Sequence, residues 1–165
     1  MDAVRLIAAG RHALARSGEA WDIVGEAWQA QALAQGMGSW LAVTGPPELR
    51  AEARGLGEAG GRGCGVIDRA ALRGEGRPPE QPPRAAQLTG TADIRQALLG
   101  LQELLGEVGI ALVGVACATD DEGLYWQCIE SRVRGGGWRA PGGGRGGGDR
   151  GWGGGAPQQF PPEQG

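Results

Sequence analysis

Residues 92–133 read ADIRQALLGLQELLGEVGIALVGVACATDDEGLYWQCIESRV, and this stretch decides the fold. Its apolar residues recur in alternating steps of three and four, which is the spacing of a helical seam. The positions of this seam are Leu98, Leu101, Leu105, Val108, Leu112, Val115, Thr119, Glu122, Trp126, Ile129 and Val133. The spacing predicts one long helix, from about Ala92 to Val133, at the centre of a bundle.

A second apolar stripe lies on the opposite side of the same predicted helix. It consists of Ile110, Val113, Cys117, Leu124 and Cys128. Between Val108 and Thr119 the chain carries no charged residue, which is typical of a helix that is buried on most sides. This apolar run is shorter than the roughly 20 residues that a membrane span requires, so we expect no membrane contact.

A β-hairpin is the structural alternative for residues 110–129. The sequence TDDEG at 119–123 has the composition of a turn, and β-branched and aromatic residues flank it. We favour a helix because the seam keeps its phase through this segment. A kink near Gly106–Gly109 or at Gly123 is compatible with that interpretation.

Three further helices are predicted upstream, covering Asp2 to Arg16, Glu19 to Leu41, and Glu48 to about Ala59. TGPP at 44–47 ends the second, because proline lacks an N–H donor and clashes with the preceding turn. A glycine-rich link at 60–65, a short helical segment at 66–72 and a mobile proline-rich linker at 73–88 follow. The sequence therefore predicts an all-α bundle of four to five helices over residues 1–133.

Residues 134–165 have a different composition, dominated by glycine with arginine, proline and tryptophan. Such a segment has no apolar face to bury, so we predict a disordered tail. Glycine- and arginine-rich text of this kind also arises when a GC-rich gene is read out of frame, and both origins stay open. The arginines together with Trp138 and Trp152 are compatible with RNA binding through the tail, because arginine and tryptophan stack on bases.

Charge and cysteine content restrict the class of protein. All 16 basic residues are arginine, 19 residues are acidic, and the net charge is −3, which argues against general affinity for nucleic acid. Cys64, Cys117 and Cys128 are an odd number of cysteines, and the N-terminal residues lack the apolar core of a signal peptide. We expect free thiols and a cytoplasmic location.

Four candidate sites can be weighed from the sequence. GLGEAG at 55–60 matches the glycine spacing of a dinucleotide-binding loop, but a charged helical segment precedes it instead of a strand. Cys64 and His12 have no supporting pattern as a catalytic pair, and the acids at 120–122 are expected to be solvated. An apolar ligand pocket near Trp126 and Cys128 is an alternative. We therefore assign no catalytic, cofactor-binding or metal-binding residue.

The sequences EAWQAQALAQGMGSWLAVTGPPELR at 26–50 and GIALVGVACATDDEGLYWQCIES at 109–131 resemble an uncharacterised family of small helical proteins from GC-rich actinobacteria. The resemblance covers about residues 1–130. It implies a cytoplasmic helical fold and no catalytic residue, and the tail departs from it.

These observations favour a non-catalytic partner-binding or accessory protein without a cofactor. Self-association or binding of a protein partner is expected through Leu124, Trp126 and Ile129, at the end of the long helix, where cover from the shorter helices runs out. The alternatives are a small-ligand-binding protein or enzyme with a pocket near Trp126, and an RNA-associated protein acting through its tail.

Overall fold

In a computed structural model, the structure describes residues 1–73, 82–136 and 138–141. These residues hold five α-helices: α1 (Ala3–Arg16), α2 (Ala20–Thr44), α3 (Arg50–Gly65), α4 (Ile94–Ala118) and α5 (Glu122–Gly135). Short 3₁₀ helices cover Pro47–Leu49, Ala71–Arg73 and Arg84–Gln87. Within the described ranges there is no β-strand, only an isolated bridge between Asp2 and Gly90. The all-α prediction is confirmed.

Three aspartates start three of the helices. The side chain of Asp2 accepts a hydrogen bond from the Val4 amide at 2.8 Å, and Asp93 and Asp121 accept from amides three residues ahead. Each carboxylate satisfies an amide that has no partner inside its helix and interacts favourably with the positive end of the helix dipole. These caps fix where α1, α4 and α5 begin.

The single long helix predicted for residues 92–133 is wrong, because α4 ends at Ala118 and α5 begins at Glu122. Thr119 adopts an extended backbone (φ −91°, ψ 141°), and the Asp121 carboxylate then caps the new helix. Near the end of α5, the side chain of Arg132 lies beside Gly109 in the middle of α4. The second helix therefore folds back along the first, and the TDDEG segment is a turn between helices rather than between strands.

The predicted seam is correct in α4 and fails after the turn. Leu98, Leu101, Val108, Leu112 and Val115 are all buried. In α5 the buried residues are Leu124, Cys128, Ser131 and Gly135, of which the first two belong to the other stripe. Trp126 is 53% exposed and Val133 68% exposed. A helix after a loop can rotate independently of the helix before it, so the continuous phase in the sequence did not indicate a continuous helix.

The glycine-rich link predicted for residues 60–65 is also wrong, because these glycines form the second half of α3. They let α3 approach the backbone of α2. A Cβ at Gly60 would lie 2.6 Å from the Gln31 carbonyl oxygen, and one at Gly38 would lie 2.6 Å from the Ala53 carbonyl oxygen. Real Cβ contacts do not occur at such distances. Glycine at these positions is therefore required by the packing of the two helices.

Two ion-pair clusters attach peripheral segments to the bundle. Arg11 of α1 reaches Glu103 at 2.9 Å and also pairs with Glu107, both on α4. Arg84 donates to Glu26 of α2 at 2.8 Å, with both side chains less than one-fifth exposed. The Arg84 amide donates to Gln29 as well, at 2.8 Å. Residues 82–88 of the predicted linker are thus held against α2, and residues 74–81 lie outside the described residues.

The first residues of the predicted tail belong to the folded domain. α5 extends to Gly135, and Ala140 is buried, with its amide donating to Gln102 of α4 at 2.7 Å. The predicted tail boundary at residue 134 is therefore too early. The disorder predicted for the remainder falls on residues 142–165, which are outside the described part of the chain.

α4 is the one helix among the described residues that is long and apolar enough to cross a membrane, with 25 residues and a window of mean hydropathy 1.6. The sequence-based expectation that this region is too short was based on its uncharged part alone. A single helix of this kind is weak evidence for a membrane span, because a core helix of a soluble protein has the same properties. α4 packs against α1, α2 and α5, and 33% of the apolar window is buried.

Leu112 and Ile110 provide a matched test of which face of α4 is buried. Leu112 is 1% exposed and Ile110 77% exposed. We expect Leu112→Ala to lower the free energy of unfolding by about 2–5 kcal/mol, because it leaves a cavity in the core. Ile110→Ala should change it by no more than about 0.5 kcal/mol. Urea denaturation followed by circular dichroism measures both, and equal losses would contradict the assigned orientation of α4.

Gly38 and Gly55 test the close approach of α2 and α3. Gly38→Ala should destabilise the protein by about 1–3 kcal/mol or more, because the new Cβ would collide with the backbone of α3. Gly55 has no atom within 4 Å of the position of a Cβ. Gly55→Ala should therefore stabilise the protein by about 0.5–1 kcal/mol through helix propensity. Thermal unfolding measures both variants: the melting temperature should fall for Gly38→Ala and rise for Gly55→Ala if the two helices pack as described.

Candidate ligand-binding cleft

A cleft lined by two buried or partly buried polar residues lies between the middle of α4 and the end of α5. Gln102 and residues 105–112 of α4 form one wall. The other wall is formed by Arg132, Val133, Gly135, Gly136, Trp138 and Arg139. Gln31 of α2 lines the cleft from beneath. Its volume is about 470 Å³, within the range of about 300–1,000 Å³ that is usual for small-molecule sites.

Gln31 is a buried polar residue without a full set of partners. Gln31 is only 3% exposed, and its Oε1 atom has no hydrogen-bond partner among the described residues. Glycines make room for its carboxamide on two sides: a Cβ at Gly63 would lie 2.6 Å from Gln31 Cδ, and one at Gly135 2.5 Å from it. Leaving such an acceptor unsatisfied costs about 1–3 kcal/mol.

Trp138 supplies a second unpaired group to the same cleft. Its indole is partly buried against the hydrophobic core, and its Nε1 atom, a hydrogen-bond donor, has no partner in the described part of the chain. The hydrogen bond from the Ala140 amide to Gln102 holds this segment against α4. Two residues distant in sequence, Gln31 and Trp138, thus line the cleft, and each carries one polar atom that is closed to solvent and unpaired in the described chain.

The charged residues lining the cleft are both arginines. Arg132 and Arg139 line it, and no acidic side chain does among the described residues. The neighbouring Arg134 lies 3.7 Å from Glu130, and Glu103 and Glu107 of α4 pair with Arg11. The cleft consequently has a positive local charge although the whole chain is slightly acidic.

The rest of the lining is mixed, because Gln102 and four glycines line the cleft beside its apolar residues, and its exposed surface is slightly more polar than apolar. Val108 and Leu112 are buried and Leu105 is partly buried, while Ile110 and Val133 are exposed at the rim. Small-molecule sites are usually lined mainly by apolar side chains with a few convergent polar groups, so this cleft is more polar than is usual. A second cavity of about 320 Å³, between residues 46–49 and the start of α4, has a more apolar lining but includes neither Gln31 nor Trp138.

Cys64 is held in a structural environment. Its thiol lies 3.6 Å from the Trp28 carbonyl oxygen, to which it donates, and burial raises its pKa to about 11. The thiol is therefore un-ionised at neutral pH and a poor nucleophile. Burial likewise raises the pKa of Cys128 to about 11, whereas Cys117 is exposed. His12 is exposed on α1, and no hydrogen bond joins it to Cys64 in the described chain.

The other sequence candidates lie away from the cleft. In GLGEAG at 55–60, Leu56 is in the core and Gly57 and Gly60 face α2, so the motif is a helix-packing surface. The acids at 120–122 are largely exposed and include the cap of α5. Within the described ranges, no cluster of His, Cys, Asp and Glu could hold a metal ion. Trp126, where an apolar pocket was considered, does not line the cleft.

Sequence reasoning missed both Gln31 and Trp138 as site residues. The signal for Gln31 was present, because it occupies a buried helical position in the series Val24, Ala27, Gln31, Ala34, Gly38 and Leu41. A polar residue in such a series requires an explanation. Trp138 gave no signal, since its glycine-rich surroundings indicated a tail.

The fold and the cleft define a small all-α domain of five helices with a cavity between α4 and the end of α5. The chain belongs to DUF6099, a family of unknown function whose model matches residues 1–132. The expected family resemblance is thereby confirmed, while the actinobacterial source stays a prediction. No curated protein and no solved structure matches the chain. Gln31 and Arg132 lie within the matched range, and Trp138 and Arg139 lie beyond it.

Proposed function

We propose that this protein binds a small molecule in the cleft between α4 and α5, as a binding protein rather than an enzyme. The observation that supports this proposal is that two residues lining the cleft, Gln31 and Trp138, each carry a buried polar atom without a hydrogen-bond partner in the described chain. Buried polar groups in proteins are nearly always hydrogen-bonded. Two exceptions of complementary type among the residues of one cavity favour a ligand that pairs with them. Both atoms are closed to solvent in the free protein, so this pairing requires the lining to rearrange.

Ordered water is the competing occupant of this cleft. A water molecule can satisfy either group, because it both donates and accepts hydrogen bonds. Water does not account for the apolar residues that stay exposed at the cleft, Leu105, Ile110 and Val133, which a largely apolar ligand would cover. The two occupants make different predictions for a variant in which the buried acceptor is removed.

Gln31→Met is that variant, since methionine keeps the unbranched shape and lacks the amide. If the acceptor is unpaired in the free protein, Gln31→Met should raise the free energy of unfolding by about 1–3 kcal/mol. The same change should reduce the stabilisation conferred by any small molecule found in a thermal-shift screen of the full chain. A site that costs stability when empty and confers it when filled is characteristic of ligand binding.

Gln35→Met is the matched control, because Gln35 lies one turn further along α2 and is exposed. It should leave both measurements nearly unchanged. Should Gln31→Met lower the stability of the free protein, the acceptor is already satisfied and the proposal loses its supporting observation.

Self-association is a second candidate function, supported by the exposed stripe on α5. One face of α5 carries Trp126, Ile129 and Val133 at helical spacing. Trp126 and Val133 are each more than half exposed, and Ile129 is partly buried. Leu124 is 4% exposed and belongs to the core, so it cannot take part in the contact. α5 has Glu122 in its first turn and Arg132 and Arg134 in its last turn. Antiparallel pairing with a second copy would place opposite charges together around the stripe.

Trp126→Glu tests this association. If two α5 stripes pair, sedimentation velocity across a range of concentrations should show a dimer for the native chain and a monomer for the variant, because a buried, unpaired carboxylate is strongly unfavourable. Val43→Glu is the control, since Val43 is a 75% exposed apolar residue on α2. A native chain that stays monomeric at all concentrations would exclude this role.

A further inference from the structure

We infer that a second copy of this chain packs on the outer face of the α4–α5 hairpin, so that the two hairpins form an antiparallel four-helix bundle. This inference rests on the second candidate function, self-association, and adds α4 to the contact together with the symmetry of the pair. Three observations support it: an exposed stripe on α4, a centre that this stripe shares with the stripe on α5, and opposite charges at the two ends of the hairpin.

α4 carries an apolar stripe on the side that faces away from the core. Ile110, Val113 and Cys117 follow one another in steps of three and four, so they lie on one face of the helix. Ile110 is 77% exposed, Cys117 is exposed, and Val113 is partly buried. The sequence has no charged residue between Val108 and Thr119, so this face of α4 carries no charge.

The stripes on α4 and α5 belong to one surface of the hairpin. Ile110 of α4 and Val133 of α5 both line the cleft between the two helices, so the stripes adjoin across it. Only 33% of the apolar window of α4 is buried, although this helix packs against three others. Single exposed apolar residues are normal, whereas an apolar face that extends over two helices marks an interaction site.

The two stripes also have a common centre. α5 folds back along α4, and a Cβ at Gly109 would lie 3.8 Å from the Cγ atom of Arg132. Three to four residues closer to the turn, about 5–6 Å along each helix, Val113 is therefore level with Ile129. Val113 and Ile129 are the middle residues of their stripes.

A single two-fold axis therefore serves both helices. An axis at the level of these two middle residues, perpendicular to the helices, places each helix antiparallel to its own copy. Ile110 is then level with Cys117 of the second copy, and Trp126 is level with Val133 of the second copy. Such a contact uses the same surface on both copies and closes on itself, so the assembly is a dimer rather than an open chain.

The charges at the two ends of the hairpin suit the same pairing. Asp120 and Glu122 lie at the turn, whereas Arg132 and Arg134 lie at the other end of α5. Arg134 also pairs with Glu130 on its own helix at 3.7 Å, and this end keeps a net positive charge. The two-fold axis brings the acidic end of one copy to within about one helical turn of the arginine end of the other. An anionic lipid surface would attract the arginines but repel the acids, so a second copy is the better occupant.

Ile110→Glu tests whether α4 belongs to the interface. In sedimentation velocity of the full-length chain, the dissociation constant of the dimer should rise at least about tenfold in the variant, because the new carboxylate would be buried without a partner. Ile110 is exposed in the single chain, so the variant should fold, and circular dichroism checks this. Gln96→Glu is the control, since it adds the same charge at an exposed position of α4 about 20 Å away.

Val113→Cys, made together with Cys117→Ser, tests the position of the axis. The two introduced cysteines meet at the axis, so mild oxidation should produce a disulfide-linked dimer. In the native chain, Cys117 lies four residues from the axis, and about 12 Å along the helices separates it from its counterpart. A disulfide cannot span that distance, so the native chain should not be cross-linked under the same conditions.

The outcomes separate this inference from self-association in general. If Ile110→Glu dimerises as well as the native chain while Trp126→Glu does not, self-association through α5 stands and the four-helix bundle is wrong. Cross-linking of the native chain but not of the Val113→Cys variant would also exclude the proposed axis. A native chain that is always monomeric would exclude both. If that monomer floats with vesicles of equal parts phosphatidylglycerol and phosphatidylcholine, and Ile110→Glu does not, the face binds lipid instead.

Discussion

The contact between the backbones of α2 and α3 is the constraint on which the rest of the structure depends. Gly38 and Gly60 lie where a single methyl group would collide with the facing helix. Such a close approach gives extensive dispersion contact between two helices that have few large side chains to offer each other. It explains how a chain with 34 glycines forms a packed bundle, because several of those glycines are at helix interfaces.

The same close packing creates the floor of the cleft. Gln31 lies on the side of α2 that faces α3 and the end of α5, where Gly63 and Gly135 leave space for its carboxamide. A larger residue at either glycine would occupy that space. The surroundings therefore admit an amide but leave its oxygen unpaired, which is an unfavourable arrangement for stability alone. Residues that lower the stability of the fold without improving its packing are typical of functional sites.

The turn at residues 119–121 completes the cleft by bringing the end of α5 back beside α4. A continuous helix would have carried Arg132 far from Gly109, whereas the α4–α5 hairpin places them in contact. In this hairpin Trp126 and Val133 are exposed, whereas Leu124 and Cys128 are buried. Both proposed interaction surfaces, the cleft and the stripe on α5, therefore depend on three polar residues between two helices.

The sequence by itself determined the helical class, the stop at TGPP, the buried face of α4 and the membership of the family, because these depend on local spacing, proline geometry and residue identity. Only the tertiary structure decided that the glycines of α3 are helical, that the long seam is broken, and that Gln31 and Trp138 meet one cavity. Glycine patterns are ambiguous in sequence, since the absence of a side chain suits a flexible link and a tight helix interface equally well. The partner of a buried polar group, or its lack of one, depends on residues distant in the chain, and no local pattern encodes it.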